Sequence, residues 1–411
     1  MKHTRAAILA IASLFVGQTQ AAGVKPEGPA TPEMLDAMNR MTDAGIVEDK
    51  RGSLTFFRWS GAKPPTLARL GLWGAKIDNK VIALASTMPD LEGISLYETS
   101  VNDEGIQVLA KLPKLRSLAV LPIERYEKQG FGPTQWSYPF IARRNERPRI
   151  TGKALQALAG VKTIESLDLQ DAQLQSGDLA LLASWPKLGS LGLPNVIDDE
   201  TVKHLQACRK LSSLTLGNRE ITASELRRLA AWKSLRKLVL TCATLSGEAL
   251  EALSALETVQ SVEMIDCGLT DEHLKHLHGS PMLTELALPR NEINGPGLIH
   301  LAKLKIKSLG LEFNNVRDET LKDLAQLTNV GDIRLSYCFG VTDHGIQSGT
   351  LQGMTNLKQL ALRGVKTVTD ASVDDLVKIR SLEHLNIRQN GITTDGCARL
   401  KQAMPKTIVF K

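Results

Sequence analysis

Apolar residues recur along this chain in a fixed order about every 24 residues: L-x-x-L-x-L, a short link, then I-T-D-x-x-L-x-x-L. One copy runs Val259, Val262, Met264, then Leu269-Thr270-Asp271, Leu274 and Leu277. The next runs Leu283, Leu286, Leu288, then Ile293-Asn294, Leu298 and Leu301. The first half has the two-residue period of a strand with one face buried. The second half places apolar residues three apart, as a helix facing that strand does. A strand–helix unit of this length cannot bury its apolar face alone. Stacked copies can, so the pattern predicts a solenoid of coils with a parallel sheet along one side.

Aligning the middle apolar residue of each strand gives Leu70, Ile94, Leu118, Leu167, Leu191, Leu214, Leu238, Val262, Leu286, Leu309, Ile333, Leu360 and Leu385, which is thirteen repeats. The helix half opens at Asp78, Asn102, Thr151, Asp198, Thr222, Ser246, Thr270, Asn294, Thr342, Thr369 or Thr393, with Gln175 and Arg317 as exceptions. Such side chains accept from the first free N–H groups of a helix, and Glu225 gives Thr222 a capping box. The Thr-Asp pair is therefore helix-starting chemistry, and its aspartates are not read as catalytic. Just after the third leucine an inward site holds Arg219, Cys267, Asn291, Asn314, Cys338 or Asn390, residues able to bond the backbone as it leaves the sheet.

An open coil exposes its core, so the ends need caps. Residues 23–62 are expected to form the N-terminal cap, with a helix starting at Thr31-Pro32-Glu33 and a degenerate repeat around Thr42-Asp43-Ala44-Gly45-Ile46; the solenoid then runs over 63–411. At the other end Thr407-Ile408-Val409-Phe410 reads as a last short strand.

The repeat breaks once. Leu118 and Leu167 are two periods apart, so about 25 extra residues lie between strand and helix, in an insert at 121–149. That insert holds Tyr126, Phe131, Trp136, Tyr138 and Phe140, against 17 aromatics in the whole chain, and Arg125, Arg143, Arg144, Arg147 and Arg149. Aromatics and arginine dominate binding hot spots, and arginine grips carboxylate or phosphate bidentately. Two readings stand: a recognition loop over the sheet, or a plug whose rings pin it to its own coils.

Outward positions on the sheet are often small, as at Gly71, Ser95, Gly192, Ala287 and Gly310, which lets a partner come close. Larger residues stand nearer the edge: Trp73, Tyr97, Phe313 and Tyr337. An acidic group of Glu165, Asp168 and Asp171 lies by the insert, and Arg334, Arg363 and Arg388 read as a basic row in successive coils. A solvated face is the plain alternative for both.

Composition changes the picture only a little. An apolar fraction of 43% with 4% aromatics suits a core of many leucines. Lys2, His3 and Arg5 followed by apolar Ala6 to Gly17 and small residues at Ala21-Ala22 predict a secretion signal over 1–22, cleaved after Ala21 or Ala22. An uncleaved anchor is the alternative. The expected product is exported, to periplasm or medium, with no membrane span. Losing the signal lowers the formal charge from +6 to about +4, too little to argue for nucleic acid. Five cysteines rule out full pairing; Cys242 with Cys267 in the next coil is the one bridge left open.

Val341-Thr342-Asp343-His344-Gly345-Ile346 and Val101-Asn102-Asp103-Glu104-Gly105-Ile106 resemble the repeats of the leucine-rich-repeat family, in its exported bacterial type with I-T-D-x-G-L. Tyr337-Cys338 is similar to the cysteine-containing repeats of F-box proteins, but no F-box precedes it. The resemblance implies an α/β leucine-rich-repeat solenoid, or horseshoe, with convex helices and a concave sheet that binds ligand or protein. Catalytic motifs such as H-E-x-x-H, G-x-S-x-G or C-x-x-C are missing, so no enzyme and no cofactor is expected. His273 and His276, spaced i and i+3, are the only metal candidates, and they lack a third ligand. The expected role is a binding or scaffold protein for a protein partner, engaged through the concave sheet and the insert. The alternatives are a carbohydrate or cell-wall binder and a structural envelope component, and nothing in the sequence sets the oligomeric state. Candidate contacts are Tyr126, Trp136, Tyr138, Arg143, Arg144, Arg147, Tyr97, Asp168, Arg334, Arg363 and Arg388.

Overall fold

A computed structural model describes residues 77–97, 99–121, 150–194 and 196–411, together with strands at 45–49, 54–56 and 67–73. The expected signal, the Thr31 helix start and all of the insert beyond Leu121 lie outside the described residues. The chain divides into two compact units, 1–195 with 203–211, and 196–202 with 212–411.

In the first unit, strands Leu67–Trp73, Gly93–Tyr97, Ser117–Leu121, Ser166–Asp168 and Ser190–Leu193 pair in parallel, each with the next in sequence. Gly45–Asp49 joins Leu67–Trp73 antiparallel and carries Leu54–Phe56 on its far side. Gly45 and Ile46 thus open an antiparallel strand instead of the turn of a degenerate repeat.

In the second unit nine parallel strands follow chain order: 213–217, 237–241, 261–265, 285–287, 308–310, 332–334, 359–361, 384–386 and 408–410. The last of these is the predicted closing strand. Each of the thirteen aligned apolar residues lies in a strand, and all are at most 2% exposed. The α/β solenoid of stacked coils is therefore present in both units.

The helix side is short and mixed. α-Helices such as Asn79–Ala85, Asp103–Leu109, Ala223–Leu229 and Thr394–Ala403 alternate with 3₁₀ segments at Ser176–Ser184 and Pro296–Lys303. Asp78, Asn102, Thr151, Thr222, Ser246, Thr342, Thr369 and Thr393 accept from backbone N–H groups two or three residues on, as predicted. Thr270 opens its helix with a capping box in which the His273 ring accepts from the Thr270 backbone N–H. One predicted cap does not form. At Asn294 the Asp271 carboxylate of the preceding coil takes the N–H groups of Asn294, Gly295 and Gly297.

Asp271 shows what the aspartate of the Thr-Asp pair does: it reaches to the next coil. Asp103 accepts from Thr151 N and Oγ1 at 2.7 Å each. Asp318 does the same for Thr342, Asp343 for Thr369, and Asp370 for Thr393, at 2.6–2.8 Å. One threonine thus caps its own helix and ties it to the coil before.

The inward site works the same way. Asn291, 6% exposed, accepts from Cys267 N and Leu269 N and donates to the carbonyls of Met264, Leu288 and Pro289. Asn314 repeats the pattern on Ile293 N and the Leu288 and Leu311 carbonyls. All five cysteines are free thiols. The Cys242–Cys267 bridge does not form because the two occupy different repeat positions. Cys267 Sγ turns inward to the carbonyls of Leu240 and Ile265, while Cys242 Sγ meets Asp266 in the next coil.

Candidate functional site

Leaving the sheet in the second unit, the chain turns through one residue of left-handed backbone. These are Asn218, Cys242, Asp266, Arg290, Phe313, Tyr337 and Gln389, with φ from 48° to 61°, and Gly364 at 74°. Asn, Asp and Gly suit that conformation; Arg, Phe and Tyr carry a cost of about 1–2 kcal/mol each. The coil geometry thus requires the left-handed turn but not the large side chains placed on it.

Those side chains form a column on the rim of the sheet. The Phe313 and Tyr337 rings stack nearly parallel, with centroids 4.5 Å apart and planes 10° apart. The Arg290 guanidinium sits 4.5 Å from the Phe313 ring centre. Phe339, 52% exposed, meets Tyr337 edge-on at 6.4 Å. In the following coil Gly364 makes room, because a Cβ there would overlap the Tyr337 ring. Gln389 Oε1 accepts from Tyr337 Oη at 2.9 Å and from Arg363 Nε at 3.2 Å.

Two predicted arginines belong to this rim. Arg363 lies 5.9 Å from the Tyr337 ring centre and Arg388 5.5 Å from that of Phe410. Among the described residues neither is in ion-pair reach of a carboxylate. Arg334, expected as the third member of this basic row, does not belong to it. Arg334 stands one place after its middle residue, Ile333, whereas Arg363 and Arg388 stand three places after theirs. Its Nε donates to Glu312 Oε1 at 2.9 Å, and its Nη1 to Asp332 at 3.2 Å and Ser308 at 3.3 Å. Burial lifts the Glu312 carboxyl above its ordinary pKa against the pull of Arg334. Arg334 is thus a neutralised strut on the sheet face, not a free anion grip.

The first unit presents a different surface. Asp168 points outward from its strand over Gly192, where any Cβ would overlap its carboxylate. Its oxygens accept from Gln170 Nε2 at 3.1 and 3.3 Å. Burial raises its pKa from 3.8 to about 6, the Gln170 side-chain and backbone bonds opposing. Glu165 pairs with Arg116 at 3.6 Å. Tyr97 is half-buried at the end of its strand, in register with Trp73 and Leu121. Tyr126, Trp136, Tyr138, Arg143, Arg144 and Arg147 lie outside the described residues.

The histidine pair is turned apart. His273 Nδ1 serves Thr270, and His276 Nδ1 faces Glu251 of the preceding coil at 2.9 Å. Among the described residues no three His, Cys, Asp or Glu side chains gather as a metal site would require, and no helix is long and apolar enough to cross a membrane.

In the sequence Phe313 and Tyr337 stand out only as large edge residues, Phe410 only as part of the closing strand, and Arg290, Gln389 and Phe339 do not stand out. Aligning the repeats on the residue after the strand would have shown it: Asn, Cys and Asp at 218, 242 and 266 give way to Arg, Phe and Tyr at 290, 313 and 337.

A family model described as "Leucine Rich repeat" matches residues 279–302 and 378–400, two of the coils whose strand and helix halves are described above. Both stretches are leucine-rich repeats, and the same repeat recurs in the other coils. Part of it is similar to the ribonuclease inhibitor of Sus scrofa, 29% identical over a 176-residue alignment covering 38% of each protein. The chain thus spans well under half the length of that curated relative. Among solved structures this leucine-rich-repeat protein is similar to an internalin from Listeria monocytogenes, at 19% identity and TM-score 0.36, covering 84% of this chain and 86% of that one. It is also similar to TLR13 in complex with ssRNA13, at 15% and 0.45, covering 83% and 52%. A leucine-rich-repeat protein of Leptospira interrogans is similar at 15% and 0.35, covering 95% and 100%.

Proposed function

We propose that this leucine-rich-repeat protein is a non-catalytic scaffold that recognises a protein partner on its outward sheet face and on the rim of the second unit. The carrying observation is the Arg290–Phe313–Tyr337 column on left-handed backbone. Strain kept at positions where glycine or asparagine would close the coil more cheaply is a pointer to use. The rings are stacked before any partner arrives, so binding orders little. Aromatics and arginine are also the residue types that anchor protein interfaces. The name of the porcine relative, ribonuclease inhibitor, states a protein target, which supports a protein partner here.

The same reading extends the surface to the insert at 121–149, whose tyrosines, tryptophan and arginines are of the same kind. It also includes export, for which the support is the charged and apolar start of the chain. Fractionation of cells expressing the full chain, with N-terminal sequencing, tests the export part; a full-length product confined to the cytoplasm would refute it.

The binding part is tested by capture from envelope and culture medium with three baits of matched circular dichroism. They are the mature chain, a Tyr337→Ala/Phe339→Ala variant, and a chain whose residues 122–148 are replaced by a short Gly-Ser link. A partner lost on the rim variant supports the proposal. A partner lost only with the insert moves the site to 121–149. Capture of nothing, with binding to a glycan array, would replace the proposal by carbohydrate recognition.

A further inference from the structure

We infer that Arg363 and Arg388 form a grip for a protein segment carrying two carboxylates two residues apart, and that the Tyr337–Phe339 rings receive an apolar side chain beside them. This rests on the scaffold reading and specifies one part of its surface.

The two arginines occupy the same repeat position in adjacent coils, which the bond from Gly364 N to Arg388 O joins directly. Adjacent strands are about 4.8 Å apart, and Arg363 lies between the Tyr337 ring of the coil before and the Gln389 side chain of the coil after. Among the described residues both lack a carboxylate, unlike Arg334 on the same sheet, which has two. Each guanidinium lies within 6 Å of an aromatic ring centre, so the ring holds it without consuming its charge. With Nε of Arg363 engaged by Gln389, its two terminal nitrogens remain as a forked donor for a carboxylate.

A peptide running across the coils in extended form places every second side chain on one face, about 6.6 Å apart. Two acidic side chains at that spacing match two arginines rooted about 4.8 Å apart on flexible stems. The exposed Phe339 and the half-buried Tyr337 flank the grip with apolar surface that a peptide side chain can cover. Charge favours a peptide over a polyanion. Glu312 and Asp332 face the same sheet, and Glu383 precedes Arg388 in its coil. A nucleic-acid strand or an anionic membrane spreads its charge widely and would meet these carboxylates too.

The test is an array of hexapeptides, each position scanned through all residues, probed with the full chain. Anionic phosphatidylserine vesicles and a single-stranded oligonucleotide are run alongside. The expected result is enrichment of Asp or Glu at two positions separated by one residue. Binding should fall about tenfold in an Arg363→Ala/Arg388→Ala variant of unchanged circular dichroism, and it should fall with added salt. The Arg363→Lys/Arg388→Lys variant, which keeps charge and bulk, should lose most of the enrichment because an ammonium cannot grip bidentately. The inference is overturned by a profile without acidic preference, by enrichment that survives both variants, or by arginine-dependent binding of vesicles or oligonucleotide without peptide binding. A native partner still captured by the Arg363→Ala/Arg388→Ala bait would sink this grip and leave the scaffold reading standing. Acidic peptides bound at the arginines with no native protein ever captured would do the reverse.

Discussion

Replacing Asp168 by Asn should stabilise the protein once pH rises above the ordinary carboxylate range, and hardly at all below it. The carboxyl sits over Gly192 on the sheet face of the first unit, where burial raises its pKa from 3.8 to about 6. A group whose folded pKa is raised weakens the fold when it is charged. The penalty is small below about pH 4, grows as pH rises from about 4 to about 6, where the unfolded carboxyl is ionised and the folded one still holds its proton, and is nearly complete by pH 7. A shift of about two units is worth about 3 kcal/mol at most. Asn keeps the acceptor for Gln170 Nε2 and removes the charge, so about 2 kcal/mol of gain at pH 8 is a fair expectation. With a urea slope of about 2–3 kcal/mol per molar, the midpoint for the first unit should rise on the order of 1 M at pH 8 and hardly move at pH 4. Urea unfolding at both pH values, followed by fluorescence of Trp185, reads this directly. A variant no more stable than the parent at pH 8, or one that gains equally at both, would refute the reasoning. A polar group that weakens the fold on an open sheet face fits a surface kept for contact.

Glu225, 2% exposed, accepts from Ile197 N, Thr222 N and both terminal nitrogens of Arg219. Glu225→Ala should cost about 3–5 kcal/mol of stability, and Arg219→Met in the same chain should recover part of it; strictly additive losses in a denaturation cycle would contradict a coupled pair. Burial pushes the Glu225 carboxyl up, but the Arg219, Thr222 and Ile197 bonds more than reverse this, so its pKa is lowered; its stabilisation should be present above pH about 4.3 and fade on acidification. Asn291→Ala strands Cys267 N and Leu269 N and should cost about 2–4 kcal/mol, seen as faster amide exchange in those two coils. Gly364→Ala meets both a φ of 74° and the Tyr337 ring; it should lose about 1–2 kcal/mol and the near-ultraviolet signal of the stacked rings, and an unchanged spectrum would count against the column. Cys338, fully buried with its thiol pushed up to about 12 by that burial, should resist thiol reagents until the protein unfolds; labelling in native buffer would show the coil opens.

Periodicity made the coils legible. Every aligned apolar residue lies in a strand because a one-residue slip would turn its whole set outward. The caps were legible where the side chain serves its own helix. Asn294 was misread because its donors are taken by Asp271, 23 residues earlier, and local propensity carries no record of a neighbour one coil away. The rim column was hidden for the opposite reason: Phe313 and Tyr337 sit on backbone that their side chains disfavour, so propensity argues against the conformation they adopt. Arg334 could have been separated from Arg363 and Arg388 by counting from the middle strand residue. Its pairing with Glu312 and Asp332 depends on side-chain reach across strands, which spacing alone does not settle.

The Thr-Asp joint has a consequence for how such a chain can change length. Asp318 holds Thr342, Asp343 holds Thr369 and Asp370 holds Thr393 with the same atoms. A coil excised between Thr342 and Thr369 would leave Asp318 opposite Thr369, a joint chemically identical to the one removed. A duplicated coil would arrive with both halves of its joint already encoded. In this stretch an unequal genetic exchange by whole coils produces a chain that still closes, so reach along the sheet can be altered without new chemistry. Around Thr222 and Ser246 the aspartate's place is held by Ala223 and Gly247. There the ties between coils are individual, such as Ile197 N to Glu225, and a gained or lost coil would not bring a matching joint with it.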